Sequence, residues 1–324
     1  MKRKLMFFVT IILVLSMLVS GCQGIEKKQE LEPLAERLSI VCTVFAVSDW
    51  VANVIGDTTG RFEVTLLAGG GDVHGYQPSA EEIAKIHTAD LVVYVGGESD
   101  KWVEEIVKRE SINSLRLFDV LKDDLKNTEH VGGISEDRDV NDSAGHKYDE
   151  HIWLSFKLAK KAVAAIGEEI CKIDSANQEV YKVNTEAYQQ DLSVLNMDYE
   201  LTLGRKKDAT IIFADRFPFG YMMDEYGIKC YSAFSGCSSD TEASFEVVAA
   251  LAKKVDELDK KNILVLETSD KELAKTVIEN TESKDTNILV MDSFQSIAGR
   301  NLEGEIDYIT SMSINLLVLE QAIK

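Results

Sequence analysis

The 324-residue chain holds five histidines, His74, His87, His130, His146 and His151, and two of them are framed as metal ligands are framed. His74 lies in Gly69-Gly70-Gly71-Asp72-Val73-His74-Gly75-Tyr76-Gln77-Pro78-Ser79. The glycines let the backbone turn tightly after an apolar run that ends near Leu67. Pro78 and Ser79 then set where the next helix begins. His151 lies in Tyr148-Asp149-Glu150-His151-Ile152-Trp153-Leu154, beside acids and just ahead of a helix. A rigid frame matters because imidazole binds a metal only when its ring is oriented. His87 falls inside a helical pattern and reads as a packed or half-exposed side chain, whereas His130 and His146 sit in a polar stretch. On residue types alone, His74 and His151 read equally well as metal ligands or as ordinary loop histidines.

The elements around these motifs alternate strand and helix in two blocks. In the first, Ser39–Phe45, Glu63–Leu67 and Asp90–Val95 are apolar strand runs. Helices are expected from Ser48 to Ile55, from a Ser79 capping box through Ile86, and over Lys101–Lys108. In the second, Ala209–Phe213, Lys229–Ala233, Asn262–Leu266 and Asn287–Met291 are strands. They alternate with helices over Gly220–Tyr226, Ser244–Leu258, Asp270–Asn280 and Ile306–Ala322. Continuous apolar strands separated by helices predict parallel sheets covered on both faces. Between the blocks, a helix is expected over Trp153–Cys171. A further one, capped at Asp174 or Ser175, meets no breaker before Gly204 and carries Tyr188, Leu192, Leu195 and Tyr199 on one face. A helix of that length spans roughly 40 Å, which suits a spine between two lobes. Residues 127–148 are polar and acidic and read as a mobile surface loop. The fold expected is α/β: two parallel-sheet lobes of Rossmann-like βα units joined by one long rigid helix. Ligands of such sheets bind at the carboxyl ends of the strands, so two facing sheets make a cleft.

The first residues set an expected compartment. Lys2, Arg3 and Lys4 precede an apolar run over Leu5–Val19, too short to span a bilayer as a helix. With Leu18-Val19-Ser20-Gly21-Cys22 behind it, this reads as a signal peptide ending in a bacterial lipobox, with cleavage leaving an acylated Cys22. The expected organisation is a leader over 1–21, a polar tether over 22–37, an N-terminal α/β lobe over 38–174, a linking helix over 175–204 and a C-terminal α/β lobe over 205–324. With the leader removed, 32 Lys and Arg face 55 Asp and Glu, a net charge of −23. That disfavours nucleic acid and anionic membrane surfaces and suits a cationic ligand. Beyond Cys22, the cysteines Cys42, Cys171, Cys230 and Cys237 form no C-x-x-C pair, which excludes a zinc ribbon. Cys230 and Cys237 are close enough in sequence to bridge, but isolated small buried thiols are the expected state.

Several segments resemble the ZnuA/TroA-type zinc and manganese solute-binding lipoproteins of ABC importers. Gly71-Asp72-Val73-His74-Gly75-Tyr76-Gln77-Pro78-Ser79 is similar to that family's D-P-H-x-Y-x-P-[ST], and Tyr148-Asp149-Glu150-His151-Ile152-Trp153-Leu154 to its D-P-H-V-W-L-D. Ala89–Gly97 resembles its A-D-L-x-x-x-x-G strand end. Phe219-Gly220-Tyr221 followed by Tyr226-Gly227-Ile228 resembles its F-G-Y…Y-G-L helix. The likeness runs from about Ser39 to the C-terminus. It implies two α/β lobes joined by a long helix with one metal ion between them, and His74 and His151 as the ligands of the N-terminal lobe. The third ligand, usually His or Glu, would stand three residues before Phe-Gly-Tyr, where this chain has Arg216. A guanidinium cannot bind a cation. Either Asp215 takes that role through a turn shifted by Pro218, or Arg216 pairs with a carboxylate. The fourth ligand, an acid after a later strand, would fall at Asp292, with Gln295 its rival under a different gap placement. Glu267, at the end of the preceding strand, serves as ligand or as partner of Arg216.

The resemblance implies a membrane-anchored, extracytoplasmic monomer that captures Zn(II), or alternatively Mn(II), and delivers it to an ABC permease and its ATPase. Two histidines with one or two carboxylates suit Zn(II), and Mn(II) if coordination expands. The competing reading is a binding protein of the same build for an anionic or organic ligand, with Arg216 as the clamp. A role in cell adhesion, a label this family sometimes carries, would be compatible with transport. An enzyme is not expected, since H-E-x-x-H, G-x-S-x-G and a phosphate loop are all absent. If Cys22 is the acylated residue, Cys22→Ala abolishes incorporation of a labelled fatty acid; label persisting in the variant overturns the lipobox reading.

Overall fold

The apolar runs pair as two separate four-stranded parallel sheets in a computed structural model, which describes residues 37–67, 73, 76–127, 148–206, 209–235, 243–296 and 307–324. In the first sheet, β1 (Leu38–Cys42), β2 (Phe62–Leu66), β3 (Leu91–Tyr94) and β4 (Ser114–Arg116) are ordered β2-β1-β3-β4. In the second, β5 (Thr210–Phe217), β6 (Lys229–Ser235), β7 (Asn262–Leu266) and β8 (Asn287–Met291) repeat that order as β6-β5-β7-β8. Each sheet reverses its strand order once, between β1 and β3 and between β5 and β7. An open parallel sheet forms its ligand crevice at that place, outside the strands' carboxyl ends.

Helices cover the first sheet: α1 (Phe45–Ile55), α2 (Ala80–His87), α3 (Lys101–Glu110) and α4 (Leu117–Leu121). Ser79 opens α2 with both arms of the expected capping box, the side chain accepting from Glu82 N and the Glu82 carboxylate accepting from Ser79 N at 2.9 Å. α5 (Phe156–Ile173) leads into α6 (Gln178–Leu203), which at 26 residues spans about 39 Å. It buries Tyr181, Thr185, Tyr188, Leu192, Leu195, Tyr199 and Leu203, a single stripe at three- and four-residue spacing. Gly167 on α5 lets α6 approach closely, because a Cβ there would lie 2.3 Å from Thr185 Oγ1. The second sheet carries α7 (Gly220–Tyr226), α8 (Phe245–Glu257), α9 (Glu272–Glu279) and α10 (Tyr308–Ala322). No helix of the described residues is long and apolar enough to cross a membrane.

Three local expectations are corrected. β1 ends at Cys42 and α1 starts at Phe45 without a side-chain cap, three residues ahead of Ser48. The Phe45 ring stacks on Phe294 at 6.0 Å, so tertiary packing, not a cap, sets the helix start. β4 and α4 were not foreseen, because a three-residue strand followed by a five-residue helix leaves no periodicity to read. β5 runs four residues past Phe213, so Arg216 lies inside the strand, paired with Phe234, and not beyond its end. A register shift between Phe213 and Arg216 makes the extension possible, since an irregularity lets a strand re-aim its side chains.

The lobes meet along a seam beside α6. Asp49 on α1 accepts from the Tyr188 hydroxyl of α6 at 2.8 Å and from Tyr308 N at the start of α10 at 3.3 Å. Burial raises its carboxyl pKa to about 6, against hydrogen bonds that favour the ionised form. A carboxyl whose folded pKa is raised binds its proton more tightly in the folded chain than in the unfolded chain. Its contribution to stability is therefore full below the ordinary value of 3.8 and is lost as pH rises through about 6. Asp49→Asn removes that loss. Relative to wild type, the variant gains about 2 kcal/mol between pH 4 and pH 7. Urea unfolding of both proteins at the two pH values measures this, and a pH-independent difference overturns it.

Candidate metal-binding site

The segment after Tyr148 runs along the seam and places His151 with no solvent exposure. Its Nδ1 lies 2.6 Å from Asp149 Oδ1, which also accepts from the His151 backbone N–H at 3.0 Å. A carboxylate at Nδ1 takes the ring proton on that side, which leaves the Nε2 lone pair turned outward. That is the carboxylate–histidine arrangement by which metal-binding imidazoles are aimed and made more basic. The Trp153 ring packs edge-on against the imidazole at 5.3 Å.

Asp149 and Glu150 are themselves held. Asp149 O accepts from the Tyr221 hydroxyl of α7 at 2.9 Å, which brings the second lobe onto the loop. The Glu150 carboxylate accepts from Ser99 N at 3.0 Å and from Ser99 Oγ at 2.7 Å. Gly97 makes room for it, because a Cβ there would sit 2.1 Å from Glu150 Oε2. Beneath it, Asp100 accepts from Val95 N, Gly96 N and Thr43 Oγ1 at the switch between β1 and β3. Burial raises the Asp100 carboxyl to about 6.

The second lobe answers with the turn after β8. Glu267 accepts from Ser293 N at 2.9 Å and from Ser293 Oγ at 2.9 Å, and burial raises its pKa to about 7. Asp292 accepts from Phe294 N at 2.9 Å, while its own N–H donates to Asn315 Oδ1. Phe294 adopts the left-handed region at φ 61°, a strained conformation for an aromatic residue. Its ring stacks with those of Phe45 and of Tyr308, the latter 5.1 Å away. Trp153 Nε1 donates to Ser293 O at 2.8 Å, and the Tyr308 hydroxyl donates to Trp153 O at 2.6 Å. The turn ends in Gln295, fully buried, whose amide nitrogen lies 2.5 Å from His151 Nε2.

The sequence-derived candidates are thus distributed unevenly. His151 is at the centre of the seam. His74 lies outside the described residues, but its neighbour Val73 is described and donates its N–H to Gln295 O at 3.1 Å. Glu267 and Asp292 shape the turn beneath Gln295. Asp215 accepts from Arg216 N at 2.8 Å and from Leu266 N at 3.2 Å, bracing β5 against β7. Arg216 is half-buried in β5. His87 stands away from the seam on α2, 3.4 Å from Glu110. Among the described residues, no three His, Cys, Asp or Glu side chains form a metal cage. Cys22, His130, His146 and Cys237 lie outside the described residues. Sequence reasoning missed Asp149 as the partner of His151. The signal was present, an acid two residues ahead of a histidine in a non-helical stretch, but only the local turn shows that the two side chains meet.

Two α/β lobes with a seam at their strand ends, bridged by a long helix, form an architecture that can hold a ligand between the lobes. The chain belongs to the family described as zinc-uptake complex component A, periplasmic, whose model matches residues 40–322. That family is one of uptake components, not of enzymes. The chain is 29% identical over 291 residues to the zinc-binding lipoprotein AdcA of Streptococcus pneumoniae, covering 88% of this chain and 56% of AdcA. It is 26% identical over 314 residues to the high-affinity zinc uptake system protein ZnuA of Bacillus subtilis, covering 95% and 94% of the two. The crystal structure of Zn(II)-bound AdcA from S. pneumoniae superimposes with a TM-score of 0.70 at 26% identity, covering 89% of this chain and 58% of that one. The chain therefore spans a little over half the length of AdcA. Gly97→Ala should force Glu150 off Ser99 and destabilise the protein by about 1–3 kcal/mol, the usual cost of overpacking. A denaturant titration checks this; an unchanged midpoint removes Glu150 as the brace of the His151 loop.

Proposed function

We propose that this chain is the extracytoplasmic solute-binding component of an ABC importer, capturing Zn(II) between its lobes and delivering it to a membrane permease. The observation that carries the reading is His151: buried, oriented through Nδ1 by Asp149, and presenting Nε2 at the seam where both lobes converge. A buried imidazole so aimed suits a borderline-soft divalent cation, with Zn(II) favoured over Mn(II) because nitrogen is the donor. His74 is the second N-terminal ligand in this proposal, next in the chain to Val73, whose N–H donates to Gln295 O. The AdcA and ZnuA relatives named as zinc proteins support the choice of cargo. The importer's ATPase, a monomeric working form and anchoring through Cys22 on the outer face of the cell membrane belong to the same proposal. The chain then acts by capture, without catalysis.

Calorimetry with zinc tests this on four proteins. His74→Ala and His151→Ala should each weaken binding by about tenfold or more, while His87→Ala leaves it near wild type. Unchanged affinity in both motif variants overturns the site. Tight binding of an oxyanion by wild type, lost in Arg216→Ala, would replace the metal reading with an anion-binding one.

A further inference from the structure

Gln295 combines features that the metal-binding reading does not by itself require. It is a neutral, fully buried side chain from the second lobe, and it ends against Nε2 of His151 in the first. Because Asp149 holds the proton on Nδ1, Nε2 is an acceptor, and the Gln295 amide N–H donates to it. The contact therefore occupies the same lone pair that a metal would use. Nor is it incidental. The turn that carries Gln295 is held by the Glu267 carboxylate on Ser293, by Trp153 on the Ser293 carbonyl, and by the Phe45 and Tyr308 rings stacked with Phe294. The backbone carbonyl of Gln295 accepts from Val73, the residue before His74. A left-handed non-glycine residue immediately before Gln295 persists only where its surroundings impose it.

We propose, on the basis of the zinc reading above, that Gln295 is a metal-displaceable latch and the specificity-determining residue of the second lobe. Without metal, its amide N–H bonds to His151 Nε2 and holds the lobes together. A divalent cation binds by taking over that lone pair. Rotation of the amide then turns its oxygen to the cation in place of its N–H. Two properties follow. Each binding event must give up a buried hydrogen bond across the seam, which limits affinity and favours release to a permease. The donor that Gln295 offers is a neutral oxygen, a poorer partner than a carboxylate for a hard cation, so the site discriminates against Mn(II).

The test compares wild type, Gln295→Glu, Gln295→Ala and His151→Ala, using zinc alone and manganese alone in competition with a chelator of known affinity. Gln295→Glu is isosteric, removes the amide donor and adds an anionic ligand. It should tighten zinc by about tenfold or more and manganese by a larger factor. A second readout needs no metal: hydrogen exchange at the amides of residues 292–296 in the metal-free protein should speed up by about tenfold in Gln295→Ala, because the latch is gone. Zinc binding that is lost in His151→Ala but equal in wild type and Gln295→Glu, with unchanged exchange in Gln295→Ala, overturns the latch and leaves the metal site standing. Wild-type protein that binds neither metal overturns both.

Discussion

The site depends on keeping one imidazole dry and oriented. His151 has no contact with solvent, and its Nδ1 is held by a carboxylate two residues before it. A buried polar group with an open lone pair is costly unless something accepts or donates to it. Much of the surrounding structure meets that requirement. Asp149 serves Nδ1, the second lobe supplies Gln295 to Nε2, and Trp153 covers the ring edge. The loop that carries all of this is fixed in turn by Tyr221 from α7 and by Ser99, which binds the neighbouring Glu150.

The same requirement explains why the seam is built from aromatic rings with polar tips. Trp153, Tyr308 and Tyr221 each bury a large apolar body and place a hydrogen bond across the seam, and Tyr188 donates from α6 to Asp49 on α1. Such residues exclude water from the imidazole without leaving backbone carbonyls unpaired. Phe45, Phe294 and Tyr308 form a short stack through the seam, and the strained backbone at Phe294 is held in place by it. The long helix α6 supplies a common support for the lobes, because its buried stripe runs its whole length.

Carboxylates are numerous here, yet those near the seam are committed to structure. Asp100, Glu150, Asp215, Glu267 and Asp292 each accept backbone N–H groups at strand ends or turns. The backbone at the end of a parallel strand leaves donors unpaired, and a buried acid is a compact way to satisfy several at once. Acids expected as ligands on grounds of charge and position therefore act first as braces, and the side chain that reaches the histidine is an uncharged amide.

Much of this was legible in the residues themselves. The alternation of apolar runs and helical patterns defined two parallel α/β blocks, because a strand buried on both faces has to be continuously apolar. The stripe at Tyr188, Leu192, Leu195 and Tyr199 defined the long helix, and Ser79 with Glu82 defined the start of α2, since capping and periodicity are local. The two histidine motifs stood out for the same reason: glycine, proline and acids frame them in the chain itself. What tertiary structure alone decided concerns residues far apart in sequence. Gln295 and His151 are separated by 144 positions; the family resemblance offered Gln295 only as a rival to Asp292, and nothing local says that its amide meets the His151 ring. Arg216 was assigned beyond its strand because the register shift that extends β5 depends on pairing with β6 and leaves no trace in its own composition. Phe45 begins α1 because it packs on Phe294, a contact between lobes that no local pattern can encode.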